Sequence, residues 1–140
     1  MDQYHQFVVA DAHDAPALSN ATNPLMTWSG FYSEHLDLMK VNALLKILIS
    51  HGESDETPNL TLLTNSDDSG FVAAFSESML TLLADARKRP DLDEVIAEWH
   101  LTHAIQTEGL ALRESRRMIH ALLDLAESAR SQDKTVLVKK

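Results

Sequence analysis

Apolar residues recur along this chain at spacings of three and four, and those spacings predict most of its elements. Leu36, Met39, Ala43 and Ile47 form one stripe, and Leu38, Val41, Leu45 and Leu48 form a second beside it. Two adjacent stripes give a wide apolar face. They predict a helix over residues 30–50 that packs on two neighbours or at a subunit interface. Lys40 and Lys46 are expected to keep part of that face wet. Ser33 and Glu34 suit its start and His51-Gly52 its stop, glycine being a favoured residue just past a helix end. Phe71, Val72, Phe75, Met79, Leu82, Leu83 and Ala86 mark another helix. Leu92, Val95, Ile96, Trp99 and His103 mark a third, and Leu112, Ile119, Leu122 and Ala126 a fourth.

Charge sharpens the boundaries. Arg87-Lys88-Arg89 suits the negative end of the second helix, while Pro90 followed by Asp91, Asp93 and Glu94 suits the positive start of the third. Continuing the third stripe at 100° per residue places Arg113 and Arg117 on its apolar side and Ile119, Leu122 and Ala126 opposite. The apolar phase therefore slips near Gly109, which predicts a break or kink between 91 and 130.

The remaining runs are short. Leu60–Thr64 is rich in Leu and Thr between turn formers and reads as a strand. Residues 71–75 read either as its hairpin partner, with Ser76 capping a later helix, or as a helix capped by Asp67 or Asp68. The unbroken stripe from Val72 to Ala86 favours the helix. Gln6, Phe7, Val8 and Val9 suit a short strand, but the next twenty residues carry Pro16, Pro24 and no period, so residues 1–29 are expected to form an extended arm. Leu25, Met26 and Trp28 are expected to dock on the body. Val136-Leu137-Val138 closes the chain as a short β-like or frayed end. The fold expected is mainly α, a small bundle of about four helices with room for a short hairpin between 60–64 and 71–75. It divides into an arm (1–29), a helical domain (30–131) and a flexible tail (132–140).

Composition narrows the function classes. A chain of 140 residues with 44% apolar and 24% charged residues is expected to be one globular domain with a real core. The absence of cysteine excludes disulfides, thiolate metal sites and a Cys nucleophile. Four glycines leave little scope for a Gly-rich phosphate loop. The first residues lack the basic and apolar regions of a leader, and no apolar run reaches the roughly 20 residues of a membrane span, so a cytoplasmic location is expected. The formal charge of −9 disfavours binding nucleic acid through the whole surface and suits a protein partner, a basic one in particular.

Few residues suggest chemistry. His100 and His103, three apart on a helix, are candidates to share a metal with Glu98, although a histidine in an apolar stripe is more often a hydrogen-bonded core residue. Arg113, Arg116 and Arg117 gather on one side of the last helix with His120. They suit an anion or nucleic-acid patch, or a solvated face neutralised by Glu114, Asp124 and Glu127. Trp99 suits either a core position or the anchor of an interface. No nucleophile elbow occurs, and neither enzymatic activity nor a cofactor is expected.

Phe75-Ser-Glu-Ser-Met-Leu-Thr-Leu-Leu83, then Asp91-Leu-Asp-Glu-Val-Ile-Ala-Glu-Trp99 and Thr102, resembles the C-terminal helices of bacterial prevent-host-death (Phd/YefM-type) antitoxins. The match covers residues 75–113. The resemblance implies a non-enzymatic bacterial protein whose C-terminal helices wrap a toxin and whose N-terminal α/β part dimerises and binds operator DNA. The short strand with basic residues expected ahead of the first helix has no counterpart here. These readings together predict a regulatory, interaction-type protein, dimeric by preference. Its partner face is expected to draw on Leu92, Val95, Ile96, Trp99, His103, Arg113, Arg116 and Arg117. A metal or small-ligand bundle and a DNA-binding regulator are the alternatives.

Overall fold

The structure, a computed structural model, describes residues 5–21, 23–51, 60–64 and 72–139. In chain order the elements begin with β1 (His5–Ala10), α1 (Ala15–Asn20), β2 (Gly30–Ser33) and α2 (Leu38–His51). The hairpin β3 (Leu60–Thr64) and β4 (Val72–Phe75) comes next. Four helices then succeed one another: α3 (Glu77–Ala86), α4 (Leu92–His100), α5 (His103–Gln106) and α6 (Leu112–Ser131). The last element is β5 (Thr135–Lys139).

The chain is mainly helical, but its centre is a five-stranded antiparallel sheet in the order β2-β1-β5-β4-β3, much larger than the short hairpin expected. The segments read as an arm and a tail supply its middle. Val8 of β1 stands opposite Leu137 of β5, and Ala73 of β4 opposite Val138. Both faces of this sheet are covered, which explains why β1 and β5 read as short continuous apolar runs rather than alternating ones. Phe7, Val9, Phe75, Val136 and Val138 face the long helices. Val8, Ala10, Val72, Ala74 and Leu137 face the other way, under Ala15 and Leu18 of α1 and the flanking Trp28.

Two helix boundaries depart from expectation. The helix expected over 30–50 starts at Leu38, where the Asp37 carboxylate accepts the Lys40 backbone N–H at 2.9 Å; residues 30–33 pair with β1 instead. Gly30 allows this pairing, since a Cβ there would sit 1.9 Å from the Phe7 carbonyl oxygen. The favoured helix from Val72 gives way to the hairpin. Ser76 caps α3 by accepting the Met79 N–H at 3.2 Å, and the apolar stripe before it belongs to a buried strand. The polar loop 52–58 and the Asp67-Asp68 turn lie outside the described residues.

The phase slip at Gly109 is a real break. α4 stops at His100, α5 is a single turn, and Gly109 adopts φ +69° before α6 starts. α6 then crosses the sheet and packs against α3, α4, β1 and β5, burying Ile119, Leu122, Leu123, Ala126 and Ala129. No helix of the described residues is long and apolar enough to cross a membrane.

Candidate functional site

The residues expected to form a partner face separate into two groups. Val95, Ile96 and Trp99 are wholly buried and Leu92 packs against the same core, so α4 is committed to the chain's own interior. Trp99 donates its indole N–H to the Lys40 carbonyl oxygen at 2.9 Å, which satisfies its one polar atom. An interface anchored on Trp99 is thereby overturned. The wide face of α2 is likewise internal, with Val41, Leu44, Leu45, Ile47 and Leu48 in the core, although Met39 remains exposed. His103, Arg113, Arg116 and Arg117 lie outside.

The metal candidates turn to separate partners. Glu98 meets His51 Nε2 at 2.5 Å, and His100 Nδ1 lies 2.7 Å from the buried Ser115 hydroxyl, while His103 is exposed. Among the described residues the trio whose ligand atoms approach within 4.8 Å is Asp11, His13 and Asp14. That trio is a turn: Asp14 Oδ2 accepts the Asp11 N–H at 3.2 Å, and His13 is 80% exposed.

Charge on α6 is distributed unevenly. In its C-terminal half the exposed charges are matched, Asp124 by Arg87 at 2.8 Å, and Arg130 by Asp85 and Glu127 at 2.9 and 2.8 Å. In its N-terminal half Arg113, Arg116 and Arg117 make no ion pair or side-chain hydrogen bond among the described residues. Cations near a helix N-terminus oppose the helix dipole, so the fold gains nothing electrostatic from Arg113 at that place. The helix start is also bare, as Ala111 offers no side-chain cap.

Arg113 and Arg117 line a groove of about 570 Å³ between the start of α6 and the segment that follows β2. Tyr32, Ser33, Glu34 and His35 form the opposite wall, with Leu110, Glu114 and Met118 completing the α6 side. That wall is held firmly. The Ser33 hydroxyl accepts the backbone N–H groups of His35 and Leu36 at 3.1 and 2.9 Å. Glu108 then fixes the His35 ring, with Oε2 3.1 Å from Nδ1, and takes the Lys40 ammonium on Oε1 at 2.7 Å. Lys40 reaches Asp37 Oδ2 at 3.1 Å as well.

Lys40 was expected to stay wet, yet its side chain is only 6% exposed. A buried ammonium needs compensation, and the two carboxylates supply it. Burial alone would lower the Lys40 pKa, but Glu108 and Asp37 outweigh that and leave it raised. Burial would raise Asp37, but the Lys40 N–H and ammonium outweigh it and leave its carboxyl lowered. The hydrogen bonds from Lys40 and His35 hold Glu108 low too. The groove wall is therefore tied through Glu108 to the start of α2. Neither His35 nor Glu108 stands out in the sequence, because the groups they meet lie 68 and 73 residues away, and Ser33 reads there only as a helix start.

At the other end of α2, Arg89 donates to the Leu48 carbonyl at 2.9 Å and grips Asp91 with two bonds of 3.0 and 2.9 Å. A cation expected to serve the end of α3 thus closes α2 instead.

Comparison with protein-family models, with curated proteins and with solved structures finds no match to this chain.

Proposed function

We propose that this chain is a non-enzymatic interaction protein of the cytoplasm, one that binds a protein partner through the N-terminal half of α6. The observation that carries this reading is the set of three exposed arginines, Arg113, Arg116 and Arg117, left without ion partners among the described residues of a chain with net charge −9. Surface cations are normally cheap to neutralise, as the other half of the same helix illustrates. The placement of Arg113 against the helix dipole supports a role outside folding. The antitoxin resemblance points towards the same class of protein, a regulator that captures another protein. The partner surface proposed is acidic rather than basic, because the free charge on α6 is positive.

The test is recovery of a partner from the native cells, followed by reconstitution of the purified pair with light scattering to give the mass. Replacing all three arginines by Glu is expected to abolish the complex without lowering the melting temperature of the chain. A complex that survives the reversal refutes the assignment to α6. Duplex DNA captured in place of a protein, with affinity falling steeply as salt rises, replaces this reading by the DNA-binding one.

A further inference from the structure

We propose that the cavity beside the β1–β2 pair binds a small uncharged planar heterocycle, held by a hydrogen bond from its N–H to the side chain of Gln6. The cavity has a volume of about 370 Å³, at the lower end of the range for small-molecule sites, and none of the α6 arginines lines it. Gln6 and Tyr32 stand opposite one another in the β1–β2 register, so their side chains share a face of the sheet. Asn23, Pro24 and Leu25 supply the other wall. That wall is fixed by a turn in which the Met26 N–H bonds the Asn23 carbonyl oxygen at 3.1 Å and the Thr27 and Trp28 N–H groups bond that of Pro24 at 3.0 and 2.9 Å.

What points to a ligand is the Gln6 amide. Its Oε1 is buried without a hydrogen-bond partner, the one side-chain oxygen or nitrogen in that condition among the described residues. A buried acceptor left unpaired costs stability that a donor would restore. The neighbour across the sheet does not provide one, since Lys139, opposite Gln6 on β5, gives its ammonium to the Ala21 carbonyl oxygen at 2.6 Å. The torsion that carries a Gln amide is broad, so this group can turn from its buried place to a donor in the cavity that Gln6 lines. A single water would satisfy Oε1, but it fills only about 30 Å³ and leaves the apolar wall uncovered.

The lining selects the chemistry of the occupant. No charged side chain lines the cavity among the described residues, so an ion would lose its hydration there without compensation. The Tyr32 ring, 60% exposed, and Leu25, 37% exposed, offer apolar surface on which a flat ring can stack. Gln and Asn amides present a donor beside an acceptor. That edge matches an amino group next to a ring nitrogen, the pattern by which Gln and Asn pair with adenine. An uncharged aminopurine carries this pattern on a planar body of suitable size.

The experiment titrates the full chain with adenosine and with purine riboside, the same molecule without the exocyclic amino group. The side-chain amide resonances of Gln6 and Asn23 report binding by nuclear magnetic resonance. Adenosine is expected to shift them with a Kd of about 1 mM, and purine riboside to bind about tenfold more weakly for want of the N–H. Gln6→Met keeps the length of the side chain and removes the amide. It should weaken adenosine by a similar factor, read on Asn23, and raise the melting temperature because the unpaired acceptor is gone. Tyr32→Leu should weaken both nucleosides alike through loss of the flat ring. Arg113→Gln, outside the cavity, should leave binding unchanged. Equal affinity for the two nucleosides, no shift up to about 10 mM adenosine, or a Gln6→Met variant that melts below wild type overturns the proposal. Adenosine binding that is lost with Arg113→Gln and kept in Gln6→Met overturns it too, by placing the nucleoside on α6.

Discussion

Replacing Lys40 by Met tests the internal network more sharply than any other change. Met keeps the volume and apolar stem of the buried side chain and deletes the ammonium that bonds Glu108 at 2.7 Å and Asp37 at 3.1 Å. Removing one member of a fully buried ion pair costs about 3–5 kcal/mol, because a charge is left uncompensated. Here the partners left behind are 30% and 37% exposed and can be hydrated in place. That reduces the expected cost to about 2 kcal/mol at neutral pH, above the 0.2–1 kcal/mol or so of an open surface pair. The cost should depend on pH in a definite direction. Asp37 and Glu108 titrate below their ordinary range in the folded chain. Their contribution is therefore present above the unfolded carboxylate range and is lost as the pH falls through the lowered folded values. Lys40 is raised, so it stays charged throughout the acid range and its own contribution is lost only in strong alkali. The gap between wild type and Lys40→Met should accordingly shrink as the pH falls through those lowered values. Urea unfolding followed by tryptophan fluorescence measures it, since Trp99 sits directly on the Lys40 carbonyl. A 2 kcal/mol loss would move the midpoint by about 1 M for an m-value of about 2 kcal/mol/M. A variant as stable as wild type at neutral pH, or a gap that does not change on acidification, refutes the argument.

Three further outcomes follow from particular contacts. Trp99→Ala should lower stability by about 4 kcal/mol, measured by calorimetry, through the cavity left by a fully buried indole and its lost hydrogen bond. Gly30→Ala should cost about 3 kcal/mol, because the new Cβ meets the Phe7 backbone and must push β2 off the sheet; an unchanged melting temperature would show that β2 is not paired as described. Arg113→Glu should do the opposite for stability and function, raising the melting temperature by a gain of about 0.5 kcal/mol from the helix dipole while weakening the partner complex. A loss of both stability and binding would assign Arg113 to the fold.

Much of the helical layer was legible in the residues. Most of the stripe residues of α3, α4 and α6 are covered where their spacing predicts, His103 and Leu112 being the exposed exceptions, and the break at Gly109 follows from a phase slip that any wheel reveals. Such readings succeed because a helix writes its environment into residues three and four apart. The sheet was barely legible. β1 and β5 are short apolar runs at opposite ends of the chain, and each gains its identity only from the other, by the pairing of Val8 with Leu137. The hairpin was visible as an alternative and lost to a stripe in which Val72 and Phe75 belong to a strand and Met79 onward to a helix. Ser76 is the physical point of change.

The candidate site shows the same division. Arg113, Arg116 and Arg117 were identifiable as a cluster from spacing alone, and their exposure followed from the opposite placement of Ile119 and Leu122. Whether they were neutralised could not be read locally, since Arg87 and Asp85, which meet Asp124 and Arg130, come from the end of α3 and the residue just after it. The opposite error befell Lys40 and Trp99. A lysine in an apolar stripe reads as a wet interruption and a tryptophan as a potential anchor. Both are interior because the turn before Gly109 brings Glu108 onto the ammonium and α2 brings a carbonyl to the indole. The sequence by itself determined which residues must be covered. Only the tertiary structure decided what covers them, because that depends on contacts between residues tens of positions apart.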